Sequence, residues 1–184
     1  MKNQPERSPV SFEINVARLP KKGMPVTIEA DAAQRERLAA IHGLESVDRF
    51  RADLVAAAWK GSGVRVQGTV EADIVQICVV TLEPLPNEIR EEISAVFLPE
   101  DSKLLRPAFD SSELVLDAEG PDVPETYSGD TVDVGALAEE IFGLAIDPYP
   151  RKPGAELKGP GAASESEIPE GPLQEQLRAL RSKS

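Results

Sequence analysis

The first regular pattern in the chain lies at "VSFEINVA", residues 10–17, where Val10, Phe12, Ile14 and Val16 alternate with Ser11, Glu13 and Asn15. A period of two marks a strand with one dry face. Past Pro20 and a Lys21-Lys22-Gly23 turn, residues 26–30 read as a second short strand. Asp31 then precedes Gln34 at capping-box spacing, which predicts a helix over "AAQRERLAAIH" that stops at Gly43.

Two longer alternations follow. In "RFRADLVAA", residues 49–57, Phe50, Ala52, Leu54 and Ala56 share one side while Arg49, Arg51 and Asp53 share the other. In "VRVQGTVEADI", residues 64–74, Val64, Val66, Val70, Ala72 and Ile74 alternate with Arg65, Gln67, Thr69, Glu71 and Asp73. Gly61-Ser62-Gly63 between them has the chemistry of a hairpin turn. A single wet face on each strand suits an antiparallel sheet. A further strand is expected around residues 89–98. Residues 82–87 read as turn or loop, because Pro84 and Pro86 cannot donate to a ladder.

Near the end of the ordered pattern, "DVGALAEEIFGLAI", residues 133–146, predicts a helix capped by Asp133 and ended by Asp147-Pro148. Val134, Leu137, Ile141 and Leu144 fall on its apolar face, and Glu139 and Glu140 on its solvent face. The expected fold is therefore α+β: mostly antiparallel sheet with two main helices, with closure into a barrel left open. Residues 1–153 form one domain, with an acidic loop at about 99–130 holding a short apolar piece at Leu114-Val115-Leu116. Residues 154–184 read as a flexible Gly/Pro/Ser/Glu-rich tail, with a short terminal helix that places Leu173, Leu177 and Leu180 on one side.

Charge changes the picture more than composition does. The net charge is −12, and residues 100–150 hold thirteen acidic against two basic side chains. Such a surface repels phosphate, so broad nucleic-acid binding, and DNA binding in particular, is not expected. A local basic contact or a basic protein partner stays open. The start "MKNQPERSPVSF" has no apolar run behind its charges, and no stretch is apolar enough to span a bilayer. The expectation is a soluble, cytoplasmic protein without a membrane partner.

Candidate chemistry centres on "QICVVTLEP", residues 76–84, which contains the only cysteine, Cys78. Cys78 can be read as a nucleophile, a metal ligand or a buried apolar residue. A nucleophile wants a base, and the sole histidine, His42, sits at a helix end. Zinc wants about four ligands, and one thiolate without a neighbour is a poor start. Cys78 shares the even-numbered face of Val70, Ala72 and Ile74, although Gln76 interrupts that pattern, so burial is the favoured reading. No metal, cofactor or catalytic set is expected, and paired carboxylates such as Glu91-Glu92 read as solvent face. "DPYPRKPGA", residues 147–155, is a proline-stiffened arm carrying Tyr149, Arg151 and Lys152. Its tyrosine either packs back on the sheet or stacks on a base, with Arg151 and Lys152 neutralising phosphate. Arg49, Arg51 and Arg65, on the polar faces of adjacent strands, are expected to share a face and to assist.

"GTVEADIVQICVVTLEPLPNEIREEISAVFLP" together with "VDVGALAEEIFGLAIDPYPRKPGA" resembles the YceD-like proteins of bacteria and plastids, in the form seen in alphaproteobacteria. The likeness covers most of residues 10–155. It implies a role in accumulation of large-subunit ribosomal RNA and assembly of the large ribosomal subunit; together with the lack of a complete catalytic set, the expectation is a non-catalytic factor that acts by binding RNA or a ribosomal protein. The alternative is an acidic adaptor that holds a basic partner without touching RNA. Many relatives carry Cys-x-x-Cys in this turn, like half of a metal knuckle. Here Cys78 and Thr81 occupy those places, so the resemblance implies a structural remnant and no metal.

Overall fold

A computed structural model describes residues 7–102, 104 and 124–155. Its centre is an open five-stranded sheet in the order β2-β3-β4-β5-β6, made of β2 (Met24–Glu29), β3 (Ser46–Trp59), β4 (Gly63–Ile77), β5 (Pro84–Pro99) and β6 (Glu125–Tyr127). All neighbours are antiparallel except β5 and β6, which run parallel. Among the described residues the sheet does not close, and β2 and β6 are its two edges. A second, two-stranded antiparallel ribbon joins β1 (Glu13–Asn15) to β7 (Thr131–Asp133).

The alternation read from the sequence sorts the sheet into two faces. Phe50, Ala52, Leu54, Ala56, Val64, Val66, Val70, Ala72 and Ile74 are all buried on one of them. That face is covered by α1 (Ala32–His42), which packs on β3, and α2 (Val134–Ala145), which packs on β4 and β5. Phe142 of α2 stands edge-on to Phe50, with ring centres 5.4 Å apart, and His42 of α1 stands edge-on to Phe142 at 5.2 Å. Edge-to-face geometry puts the positive ring rim on the negative ring face, so this line of rings holds both helices to the sheet.

Both helix caps follow the sequence. Asp31 accepts from the Gln34 amide while Gln34 caps back, and Gly43 stops α1 at φ 65°, a left-handed conformation that glycine adopts freely. Asp133 accepts from the Gly135 and Ala136 amides. It also accepts from the Phe12 amide and the Ser11 hydroxyl, tying the N-terminal segment to α2. A Cβ on Gly135 would lie 1.9 Å from the Val10 carbonyl oxygen, so this approach admits only glycine.

Five expectations are corrected. Pro84, Leu85 and Pro86 are not loop: they begin β5 opposite Ile77, Gln76 and Val75. Among the described residues nothing pairs with the other side of β5 there, and prolines are tolerated on a free edge. The strand expected at 10–17 is only three residues long, because a 3₁₀ turn begins at Val16, and Phe12 is exposed. Leu144 is 76% exposed: Phe142 and Ala138 take the core positions, so the buried stripe of α2 is rotated by about a residue. Glu139 is not a solvent-face residue: its carboxylate meets His42 Nε2 at 3.3 Å with only 13% of its side chain exposed. Strands β6 and β7 form within or beside the stretch read as loop, too short to show a period. The apolar piece at 114–116 and the tail from 156 lie outside the described residues. Among the described residues no helix is long and apolar enough to cross a membrane.

Candidate functional site

Cys78 stands where β4 runs into the turn leading to β5. The turn is closed by the Cys78 amide donating to the Glu83 carbonyl and the Leu82 amide donating back to the Cys78 carbonyl, both at 2.9 Å. Closure sends Leu82 to φ 59°, a left-handed conformation that costs a non-glycine residue about 1 kcal/mol. Its side chain gains nothing from the core in return, since Leu82 is 74% exposed.

The cysteine itself is fully buried. Its sulfur accepts from the Thr81 amide at 3.5 Å and from the Lys152 amide at 3.3 Å. Hydrogen bonds from the Thr81 side chain and amide, then from Lys152, hold the thiol down at about 6, against the opposing effect of burial. Burial covers this low-pKa sulfur from solvent. Among the described residues no three or more His, Cys, Asp or Glu side chains gather as a metal site. Thr81 turns its amide toward the sulfur.

The proline arm lies directly on this turn. Gln76 Nε2 donates to the Asp147 carbonyl at 2.8 Å, and the Val79 amide donates to the Pro150 carbonyl at 3.0 Å. The Lys152 ammonium meets Glu83 at 2.8 Å, which raises the lysine and lowers the carboxylate. Asp147 also accepts from the Tyr149 amide at 2.9 Å. Gln76, which broke the apolar alternation, is thus the buried post to which the arm is fastened, and Pro150 is buried beside it. The two stretches singled out in the sequence form one structural unit.

What this unit leaves outside is specific. Tyr149 is 71% exposed, so the packed-back reading of its ring is overturned. Arg151 is exposed and makes no ion pair among the described residues. Val79 and Leu82 add apolar surface on the adjoining turn. Lys152 is engaged with Glu83 and serves the arm as an anchor.

The strand arginines are arranged differently. Arg49, Arg51 and Arg65 do share the outer face, but Arg49 lies opposite Asp73 and Arg65 opposite Ala57. Eight positions at about 3.3 Å each separate them by about 26 Å. Arg49 is bonded to Glu71, Arg51 to Glu29 and Asp53, and Arg65 lies over the Trp59 ring at 5.8 Å. Arg90 closes on Glu71 as well, so this face neutralises itself. Sequence reading missed the His42–Glu139 pair, whose partners are 97 positions apart and carry no local signal.

A family model described as "Large ribosomal RNA subunit accumulation protein YceD" matches residues 66–181, a span that contains the Cys78 turn and the whole arm. No curated protein and no solved structure matches the chain.

Proposed function

Because this chain belongs to the YceD family of large ribosomal RNA subunit accumulation proteins, we propose that it supports that accumulation by binding large-subunit ribosomal RNA through the arm-and-turn unit. The observation that carries this reading is the exposed Tyr149 ring beside an Arg151 that has no ion-pair partner among the described residues, both on a backbone fixed to the Cys78 turn. A held aromatic face stacks on an unpaired base for about 1–3 kcal/mol, and an adjacent guanidinium meets its phosphate. The net charge of −12, concentrated in residues 61–150, disfavours broad phosphate contact and leaves local sites such as this corner. Lys152 contributes by holding the arm to Glu83. The role is binding rather than catalysis, exercised in the cytoplasm where the subunit assembles, with no DNA or membrane partner.

Ultraviolet crosslinking of the tagged protein in cells, with sequencing of the attached RNA, tests this. Crosslinks concentrated on one region of large-subunit RNA precursors, lost in a Tyr149→Ala, Arg151→Ala, Lys152→Ala variant that still folds, are the expected result. Crosslinks unaffected by the triple change remove the arm from the interface. A second reading, an acidic adaptor for a basic partner, draws on carboxylates elsewhere: Glu91, Glu92, Glu125 and Glu140 enter no ion pair among the described residues. Association that survives nuclease and falls with salt favours it.

A further inference from the structure

The outer edge of β5 is unpartnered, among the described residues, from Pro84 to Val96; β6 pairs only with Phe97–Pro99. Beside that edge runs the flank of α2, and the two enclose a shallow groove. It has one hollow of about 260 Å³ between Ile93–Val96 and Leu137, and a second of about 310 Å³ reaching Leu144. Ile141 lines both hollows, so they lie side by side along the same flank of α2. The exposed Leu144, which has no place in the core, belongs to this groove.

The rim is acidic. Glu91 and Glu92 line one hollow and Glu125 the other, with Glu140 close to Glu125. Burial, and then Glu140, raise the Glu125 carboxyl, a repulsion that an arriving cation would relieve. An open strand edge offers alternate N–H and C=O groups, the flanking hollows accept every second side chain, and the rim selects positive charge.

We infer that this groove takes an extended, basic peptide segment of a protein partner, added to β5 as a further strand with apolar side chains in the hollows and cationic ones on the rim. An RNA strand fits poorly, since its phosphates would face four carboxylates. The chain's own residues 105–123 are matched no better: they carry five acidic side chains and one basic one, and Pro107 and Pro121 lack ladder donors. The inference gives the second reading above a place and a partner chemistry. It uses none of the arm residues, so either proposal can fail alone.

The test uses the full chain and a synthetic peptide of alternating lysine and valine, with an alternating lysine–proline peptide of equal charge as control. Amide hydrogen exchange is followed with and without each peptide. The expected result is saturable binding of the lysine–valine peptide, weakened by salt, with new protection confined to β5 residues 88–96. Glu91→Lys with Glu125→Lys should reduce its affinity by about tenfold or more without changing the melting temperature much. Equal binding of the proline peptide, protection spread over the whole acidic surface, or indifference to the charge reversal would overturn the inference. So would β5 edge amides that are already as protected as those of β4 in the free protein, because the edge would then be occupied by the chain itself.

Discussion

The arm-and-turn unit and the outer face of the sheet both present arginine to solvent, and they do so in opposite ways. On the sheet, Arg49 and Arg51 are surrounded by Glu29, Asp53 and Glu71, and their charge is spent within the molecule. On the arm, polar effort goes into the backbone: Gln76, Val79, Cys78 and Glu83 all hold main chain or the Lys152 head. Among the described residues, the side chains of Tyr149 and Arg151 have no partner of their own. A surface is prepared for a partner when its framework is satisfied internally and its outward side chains are not.

This contrast is broken most directly at the two outward side chains. A Tyr149→Ala, Arg151→Ala pair should lower affinity for large-subunit RNA by about tenfold or more, from a lost stack and a lost phosphate contact. The melting temperature should hardly move, since neither side chain supports the core. Binding titrations alongside thermal unfolding check both halves.

Undoing the framework instead should give a smaller loss of affinity and a visible loss of order. Gln76→Leu removes the donor to the Asp147 carbonyl and should cost about 1 kcal/mol of stability. Amide exchange at Val79 and Lys152 should quicken together, because one post fastens both, and RNA affinity should fall several-fold through lost preorganisation.

The buried sulfur sharpens the same point through pH. A thiol held at about 6, against 9.0 for an unconstrained one, is a thiolate in the folded protein at neutral pH. Because its folded value is depressed, its contribution is complete above about 9 and is lost as pH falls through about 6. Thiolate ultraviolet absorbance should titrate near 6 in the native protein and vanish in Cys78→Ser, while native-state labelling stays slow because the sulfur is covered. A midpoint near 9 would mean that the Thr81 and Lys152 donors do not hold it. The smallest effect is expected on the sheet: Arg49→Ala with Arg51→Ala should change RNA affinity less than about twofold, since paired surface charges contribute little.

Much of this architecture was legible in the sequence where the signal was local. Asp31 with Gln34, Gly43, Asp133 and the alternations through Phe50–Ala56 and Val64–Ile74 each state their structure within a few residues. What escaped depended on partners far along the chain. Pro84 and Pro86 look like loop residues until a free sheet edge is known, and Gln76 looks like an error in a strand until Asp147 arrives to accept its amide. Glu139 looks like solvent face until His42 faces it across the helices. For the candidate site, both halves were visible as separate motifs, and their docking was not, because the hydrogen bonds that join them span about seventy positions.

Whether the docked arm hands Tyr149 to large-subunit RNA is decided by placing a photoreactive phenylalanine analogue at position 149 of the full chain and illuminating living cells. Adducts with large-subunit ribosomal RNA precursors, mapping to one region and reduced by Gln76→Leu, are expected. Adducts with proteins alone, or RNA adducts no more frequent than those from the same analogue at Val55 on the outer sheet face, would show that it does not.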